Sequence, residues 1–491
     1  MKDADVIIIG TGIGGATLGR ALAERGHSVL FLEKGQKRHA NEVNALNYEM
    51  FEPTGRLARG LWPAPICGTI DGAKTQVFGP LGAGIGGSSA FYAATLERPE
   101  RYEIDAGAWP LNYEDLVPHF AKATKQYEIC GEVDPLTDEP DLGLSPPPAF
   151  SEVDQSFLKS LNANGLHPYH AHTAIRYDEG GKEIMRLDGR TAGIEPALET
   201  GHARLVDRCT VKCIHQGDAG LRRVEAVRHG VSVSYVAPIV VIAAGAYNSP
   251  RLAMTSKLPD PSGMIGRNLM FHLNEMVAVW PKGDADKKPS KAISFRDLYR
   301  KDGHQFGTVQ AMGVDISYGE IVHYLTLALA RTPLAKLPGK GLAVRAVSAL
   351  ASRLFGRAKV FVGLLEDRPY PENRILPTEG DSIEFVYTIH NELRDRRHGF
   401  RRELARAFRG HRKWFLSMSP ELNLGHPCGT MQMGTVTDAH GRLKGSQGLW
   451  ICDASLFPTS LGVNPSLTIA ALALHVGEAI HEELERCANQ S

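Results

Sequence analysis

The chain has no surplus of charge: 55 Lys and Arg balance 55 Asp and Glu across 491 residues. Nucleic-acid binding usually shows as a basic excess, so that class of partner is not expected. Cysteine is scarce and unpatterned. The seven (Cys67, Cys130, Cys209, Cys213, Cys428, Cys452 and Cys487) are odd in number and contain no CxxC pair. A disulfide framework and a metal site are therefore not expected, and buried or incidental thiols in a reducing compartment fit better. No apolar run reaches the length of a spanning helix. No cationic, apolar leader precedes Asp5-Val6-Ile7-Ile8-Ile9, which reads at once as a structural strand, so a cytoplasmic location is expected. Apolar content of 43% and charged content of 22% are those of a globular chain, and its length calls for at least two lobes.

What the chain does have begins at that first strand. Val6 to Ile9 are continuously apolar and suit a central parallel strand covered on both faces. Gly10-Thr11-Gly12-Ile13-Gly14-Gly15 follows, then a helical stretch from Ala16 to Arg25, then a second buried strand, Ser28 to Leu32, ending on Glu33. Strand, GxGxxG, helix, strand and acid in this order form a dinucleotide-binding fingerprint. Gly10 permits the tight turn, Gly12 lets the backbone approach a pyrophosphate, and Gly15 lets the helix pack close to the strand. The amides of Ile13 and Gly14 at the helix start face the phosphate charge, and Glu33 accepts from ribose hydroxyls. The motif does not separate FAD from NAD.

A second glycine-dense stretch runs from Phe78 to Tyr92 and includes Gly86-Gly87-Ser88-Ser89. It suits a loop whose backbone amides lie against a ligand rather than a helix or strand interior. Tyr113 to Ile129 reads as a helix with Leu116, Phe120, Ala123 and Tyr127 on one face. Asp134 to Pro148 reads as a surface excursion. Strands are expected near Arg204 to Val211 and Arg223 to Val227, and a further buried strand ends at Ala243-Ala244-Gly245-Ala246. A helix is expected to start at Asn248-Ser249-Pro250. Residues from about Glu275 to Met418 mix a strand at Glu384 to Thr388 with a helix from Arg394 to Phe415 and suggest a substrate-covering lobe.

Within that lobe, Ile321 to Val360 carries Arg331, Lys336, Lys340, Arg345, Arg353, Arg357 and Lys359 without one Asp or Glu. Ala343, Val347, Leu350 and Leu354 share one helical face. Two readings stand side by side: a lid helix packed on its own protein, and a basic amphipathic element that lies on a membrane or partner.

The last seventy residues place His426 in Leu424-Gly425-His426-Pro427-Cys428-Gly429. A strand, Leu449 to Cys452, leads to Asp453-Ala454-Ser455, and Gly462-Val463-Asn464-Pro465-Ser466-Leu467 opens a helix of small apolar residues. Read alone, Asn464 is an N-cap and His426 a turn residue.

Together these segments resemble the glucose–methanol–choline (GMC) oxidoreductase family. The N-terminal fingerprint, Gly86-Gly87-Ser88-Ser89, Ala243-Ala244-Gly245-Ala246 with Ser249-Pro250, Gly266-Arg267-Asn268-Leu269, the His426 motif and Asn464-Pro465-Ser466-Leu467-Thr468-Ile469 follow the family's order end to end. The resemblance implies an α/β fold. A Rossmann-like FAD-binding domain would come from 1–110, 190–275 and 424–491, and a sheet-containing substrate domain from 111–189 and 276–423. It implies that His426 is the catalytic histidine over the flavin and Asn464 its partner, as in the branch of cholesterol oxidase, pyranose oxidase and bacterial sugar dehydrogenases. Glu366 falls near a glutamate that cholesterol oxidases place by the substrate. Val211 would meet the adenine through its backbone, and Ala244, Gly245, Asp453, Ala454, Asn464, Pro465 and Ser466 would border the cofactor. Tyr92 stands where many members carry Asn. No histidine occupies the usual site of covalent flavin attachment, so non-covalent FAD is expected.

The implied reaction is oxidation of a CH–OH group, with His426 taking the hydroxyl proton as hydride moves to flavin N5. Sugar or glycoside carbinols and lipophilic alcohols, sterols included, remain open as substrates, as do oxygen, a quinone or a protein as acceptor. The rival readings are a NAD-dependent dehydrogenase, a hydroxynitrile lyase-like flavin protein, and a non-catalytic flavin-binding or membrane-docking protein.

Overall fold

Val6–Ile9 has apolar neighbours on every side, and all four residues are buried. The computed structural model describes residues 2–36, 53–217, 220–282, 291–313, 339–417 and 424–489, with a few positions between 321 and 333. In it this strand lies third of five parallel strands, in the order Leu449–Ile451, Ile239–Ile242, Val6–Ile9, Val29–Leu32, Ala203–Val206. The sheet is thus gathered from three distant stretches of chain. Helix Ile13–Ala23 packs on it so closely that a Cβ on Gly19 would stand 2.1 Å from the Phe31 ring. Helix Ser466–Ala488 lies against that helix, with Leu472, Ala473 and Val476 in the same core.

The second large sheet is antiparallel and seven-stranded. Its spine, Met270–Val279, pairs with Lys359–Leu365 on one side and with both Lys413–Phe415 and Leu424–Cys428 on the other. Helix Asn391–Ala407 covers one face, with Phe400 so near Gly363 that a Cβ there would lie 2.4 Å from its ring.

Among the described residues two large hydrophobic cores form beside a small cluster of Leu61, Ala90 and Phe91, and the two large ones do not divide at residue 110. Helix Tyr113–Gln126 turns Leu116, Phe120 and Ala123 inward, and these residues join the core of the parallel sheet. Trp62, Ile66, Ile70 and Ala83 belong instead to the core of the antiparallel lobe. The cause is strand Ile66–Ile70, which pairs in parallel with Ile383–Tyr387.

Two elements differ from expectation. The helix anticipated to reach Phe415 ends at Ala407. Gly410, at φ +85, turns the chain, and Lys413–Phe415 becomes a strand against Val277–Val279. The helix anticipated from Asn248 begins at Gly245, leaving Pro250 inside it. Proline frees the carbonyl four residues back; that carbonyl is Ala246's, and Thr430 Oγ1 donates to it at 2.7 Å. Cys67, Cys130, Cys209, Cys213, Cys428 and Cys452 form no disulfide. No helix among the described residues is long and apolar enough to cross a membrane.

Candidate active site

The first strand ends on Gly10, at φ +104, where a Cβ would lie 2.4 Å from the Ala243 carbonyl oxygen. Only glycine makes this turn. Gly12 is the opposite case: a Cβ there would meet nothing within 4 Å, because its backbone borders open cavity. A Cβ on Gly14 would lie 2.0 Å from the Cys452 carbonyl oxygen, and one on Gly15 would lie 2.3 Å from that of Gly10. Gly12 caps helix Ile13–Ala23 without a side-chain bond, so the first amides keep their hydrogens for an anion. The second glycine loop rests on the first. A Cβ on Gly87 would lie 2.9 Å from Gly12 Cα, and the Gly86 amide donates to Thr11 Oγ1 at 3.2 Å.

Two carboxylates brace this cradle. Glu33 accepts from Thr11 Oγ1 at 2.6 Å and from the Thr11 and Gly35 amides at 3.1 and 3.2 Å. Asp453 accepts from Ser249 Oγ at 2.5 Å and from the Gly245 and Ser455 amides at 2.8 Å each. The cavity they border has a volume of about 1540 Å³. A pocket for one small ligand holds roughly 300–1,000 Å³, so there is room for a dinucleotide and a second molecule. Gly10, Gly12, Ile13, Gly14, Glu33, Gly87, Ser88, Tyr92, Val211, Ala244, Gly245, Asp453, Ala454, Asn464, Pro465 and Ser466 all line it. Gly15 and Gly86 stand behind the wall as spacers. The Tyr92 hydroxyl donates to the Leu187 carbonyl, so its ring is what the side chain offers the cavity.

His426 lines the same cavity as Asn464. It sits on strand Leu424–Cys428 with φ +51, a left-handed conformation rarely adopted by a side chain of this size. Asn464 does not cap the helix that follows: Pro465 occupies the cap, and Asn464 Oδ1 is buried without a hydrogen-bond partner. Such an atom is costly unless a ligand satisfies it.

Behind His426 lies a residue that no sequence signal marked. His272 Nδ1 is 2.8 Å from His426 Nδ1, while His272 Nε2 is 2.7 Å from the Leu461 carbonyl and 3.0 Å from that of Ser460. Carbonyls only accept, so His272 Nε2 carries the hydrogen and its Nδ1 is a lone pair. His426 Nδ1 must then donate, which leaves His426 Nε2 as a bare base. Burial lowers His272 to about 4. Burial, and then the His272 ring, lower His426 to about 3, so both rings are neutral at ordinary pH.

The loop that supplies those carbonyls and carries Asn464 is itself clamped. The Gly462 amide donates to Glu103 Oε1 at 2.8 Å, Tyr299 hydroxyl donates to the same carboxylate, and the Gly462 carbonyl accepts from Thr308 at 2.8 Å. Ser460 Oγ accepts from the Asp367 amide at 2.8 Å. Leu461 is held at φ +62 in consequence. Glu366 belongs to this rear assembly and does not line the cavity. Burial, and then the nearby Glu103 carboxylate, push it above the usual carboxylate range.

Two sequence profiles of the GMC oxidoreductases match residues 161–274 and 378–473, and one of an FAD binding domain matches 5–45. The chain belongs to the GMC oxidoreductase family. As a GMC oxidoreductase it is an enzyme that uses FAD and acts on CH–OH donors. A 2-methyl-1,2-propanediol dehydrogenase of Mycolicibacterium austroafricanum is 24% identical over 99% of this chain and 96% of its own. An oxygen-dependent choline dehydrogenase of Brucella anthropi is 23% identical over 96% and 95%. Among solved structures, pyridoxine 4-oxidase from Mesorbium loti matches with a TM-score of 0.66 at 20% identity, covering 98% of this chain and 99% of its own. Formate oxidase of Aspergillus oryzae RIB40 matches with 0.68 at 15% over the same shares. At these identities the likeness to the solved structures is one of fold.

Proposed function

We propose that this GMC oxidoreductase oxidises the carbinol carbon of an alcohol with an apolar body to a carbonyl, with His426 Nε2 accepting the hydroxyl proton. The histidine pair carries the reading: His272 fixes the tautomer of His426 and leaves a bare nitrogen on a ring that lines the cavity. Asn464, on the same cavity wall, holds the carbinol oxygen by donating from its Nδ2 and so orients the C–H bond while the hydroxyl proton points at His426. FAD, when bound, supplies the acceptor for the hydride at flavin N5. Gly12, Ile13 and Gly14 offer amides to its pyrophosphate, Glu33 a carboxylate to its ribose and Val211 a backbone edge to its adenine, with no covalent link. The start of helix Ser466–Ala488 turns uncapped amides toward the same cavity, where they stabilise negative charge.

The apolar body follows from the wall beside His426, where Leu424, Met276, Met312 and Phe271 outnumber the polar Asn274. The relatives named above act on a diol and on choline, so the family's chemistry suits a hydroxyl on varied bodies. The test is anaerobic titration of the yellow holoenzyme with alcohols of graded polarity. Long-chain or ring alcohols should bleach the flavin at concentrations at least ~10-fold below those needed for sugars, since each buried CH₂ favours binding by about 0.8 kcal/mol. Faster reduction by a sugar overturns the substrate assignment. A flavin that no alcohol bleaches overturns the oxidation and leaves lyase chemistry.

A further inference from the structure

Helix Lys340–Phe355 rests on the protein by a narrow edge, with Val344 and Ser348 buried. The other apolar stripe, Ala343, Val347, Leu350 and Leu354 at helical spacing, faces outward: Val347 is 54% exposed, Leu350 71% and Leu354 49%. With Leu342, this one helix holds four of the ten exposed large apolar side chains among the described residues. Lys340, Arg345, Arg353 and Arg357 are exposed around the stripe, and the sequence has no Asp or Glu between 321 and 360. Trp414, another of the ten, lies nearby: Phe355 meets the Trp280 ring at 5.5 Å, and Trp280 is covered by Arg412, two residues before Trp414.

We propose that this helix docks the enzyme onto an anionic lipid surface, its apolar stripe entering the bilayer interface and its cations meeting lipid phosphates. An apolar stripe rimmed by one sign of charge matches the layered chemistry of such an interface, and a tryptophan suits the headgroup level. A folded protein partner would be expected to offer paired charges; a sheet of acidic headgroups needs only the cations that are here. Seated this way, the helix puts the substrate lobe against lipid, because Val360, just beyond the helix, bonds Met312 of the cavity wall at 2.9 Å.

The experiment is cosedimentation of the holoenzyme with vesicles of equimolar phosphatidylcholine and phosphatidylglycerol, with pure phosphatidylcholine as comparison. Partitioning should be at least ~10-fold stronger on the anionic vesicles and fall as salt rises. R345Q/R353Q should lower it roughly 10-fold or more, and L350E/L354E should abolish it, each with the turnover of a soluble alcohol and the melting temperature unchanged. Should L350E/L354E fail to fold, the arginine pair decides. Equal binding to both vesicles, no binding to either, or a holoenzyme that is dimeric until L350E/L354E makes it monomeric each overturns the proposal; the last would assign the face to a second copy. Because sedimentation does not require turnover, failure here is separable from failure of the proposed reaction.

Discussion

On the dinucleotide side of the cavity, atoms are placed by what is missing; on the His426 side they are placed by buried polar groups holding one another. Gly10, Gly14 and Gly15 sit where a Cβ would come within 2.4 Å of a backbone oxygen, so strand, helix and loop close up only in the absence of side chains. Across the cavity, His426, His272, Leu461, Gly462, Glu103 and Tyr299 form one chain of hydrogen bonds drawn from five stretches of sequence. At Gly10, Gly14 and Gly15 the first kind of wall tolerates no additions, and those close approaches involve no titrating group. The second tolerates changes of size poorly and is sensitive to every proton in it.

The comparison breaks most sharply at His426. His426→Ala should lower turnover by at least ~100-fold with FAD retained, since only the proton acceptor is lost. On the opposite wall, Gly12→Ala should do the reverse. Its Cβ meets no protein atom within 4 Å, so the apo-protein should melt as before, yet the methyl stands where a pyrophosphate would approach. FAD affinity should fall ~10-fold or more, read by flavin retention on dialysis. Gly14→Ala, with a Cβ 2.0 Å from Cys452 oxygen, should lower both affinity and apo melting temperature. If Gly12→Ala and Gly14→Ala behave alike, the two roles assigned to these glycines collapse into one.

This asymmetry also decides what the sequence made legible. A wall built from omissions leaves a local signature, because the glycines follow one another at fixed spacing; the dinucleotide fold could be read from Val6 to Glu33 alone. His426 and Asn464 were legible only by their family resemblance. His272 was not: it lies on Met270–Val279, three residues beyond the recognised Gly266-Arg267-Asn268-Leu269, and a single histidine in an apolar strand reads as core. The Glu103–Tyr299–Gly462 clamp joins positions separated by up to 359 residues, and no local pattern encodes it. Nor is the pairing of Ile66–Ile70 with Ile383–Tyr387 written in either segment.

His272 offers the next test. His272→Ala removes the acceptor that fixes the His426 tautomer and should cost roughly 10–100-fold in turnover. His272→Asn keeps an acceptor near the Nδ1 position and should recover most of it, which a purely space-filling role would not predict. The pH profile sharpens this further. A ring held neutral by burial becomes a poor base only when protonated, and His426 and His272 are lowered to about 3 and about 4. Turnover should therefore stay flat from about pH 5 to 8; an acid limb centred near 6.5 would mean that the pair is not buried as described. Stability carries the opposite message at the same groups. Between 6.5 and about 4 the unfolded chain binds protons that the folded rings refuse, so the melting temperature should fall as pH drops through that window.

The smallest expected effect concerns Glu366. A carboxylate that handled protons at the substrate could not be lost without a penalty of ~100-fold or more. Glu366 stands behind the wall, where burial and Glu103 keep its proton on. Glu366→Gln replaces a protonated carboxyl with a neutral amide of the same shape, so turnover should change by less than about threefold. The informative readout is stability against pH. A carboxyl raised in the fold keeps a proton that the unfolded chain sheds above 4.5, so wild-type stability declines as pH rises from there. Glu366→Gln should flatten that decline, gaining melting temperature over wild type at pH 8 and none at pH 4. A large loss of turnover with an unchanged stability profile would return Glu366 to the substrate, on the wall that carries His426, Asn464 and Asn274.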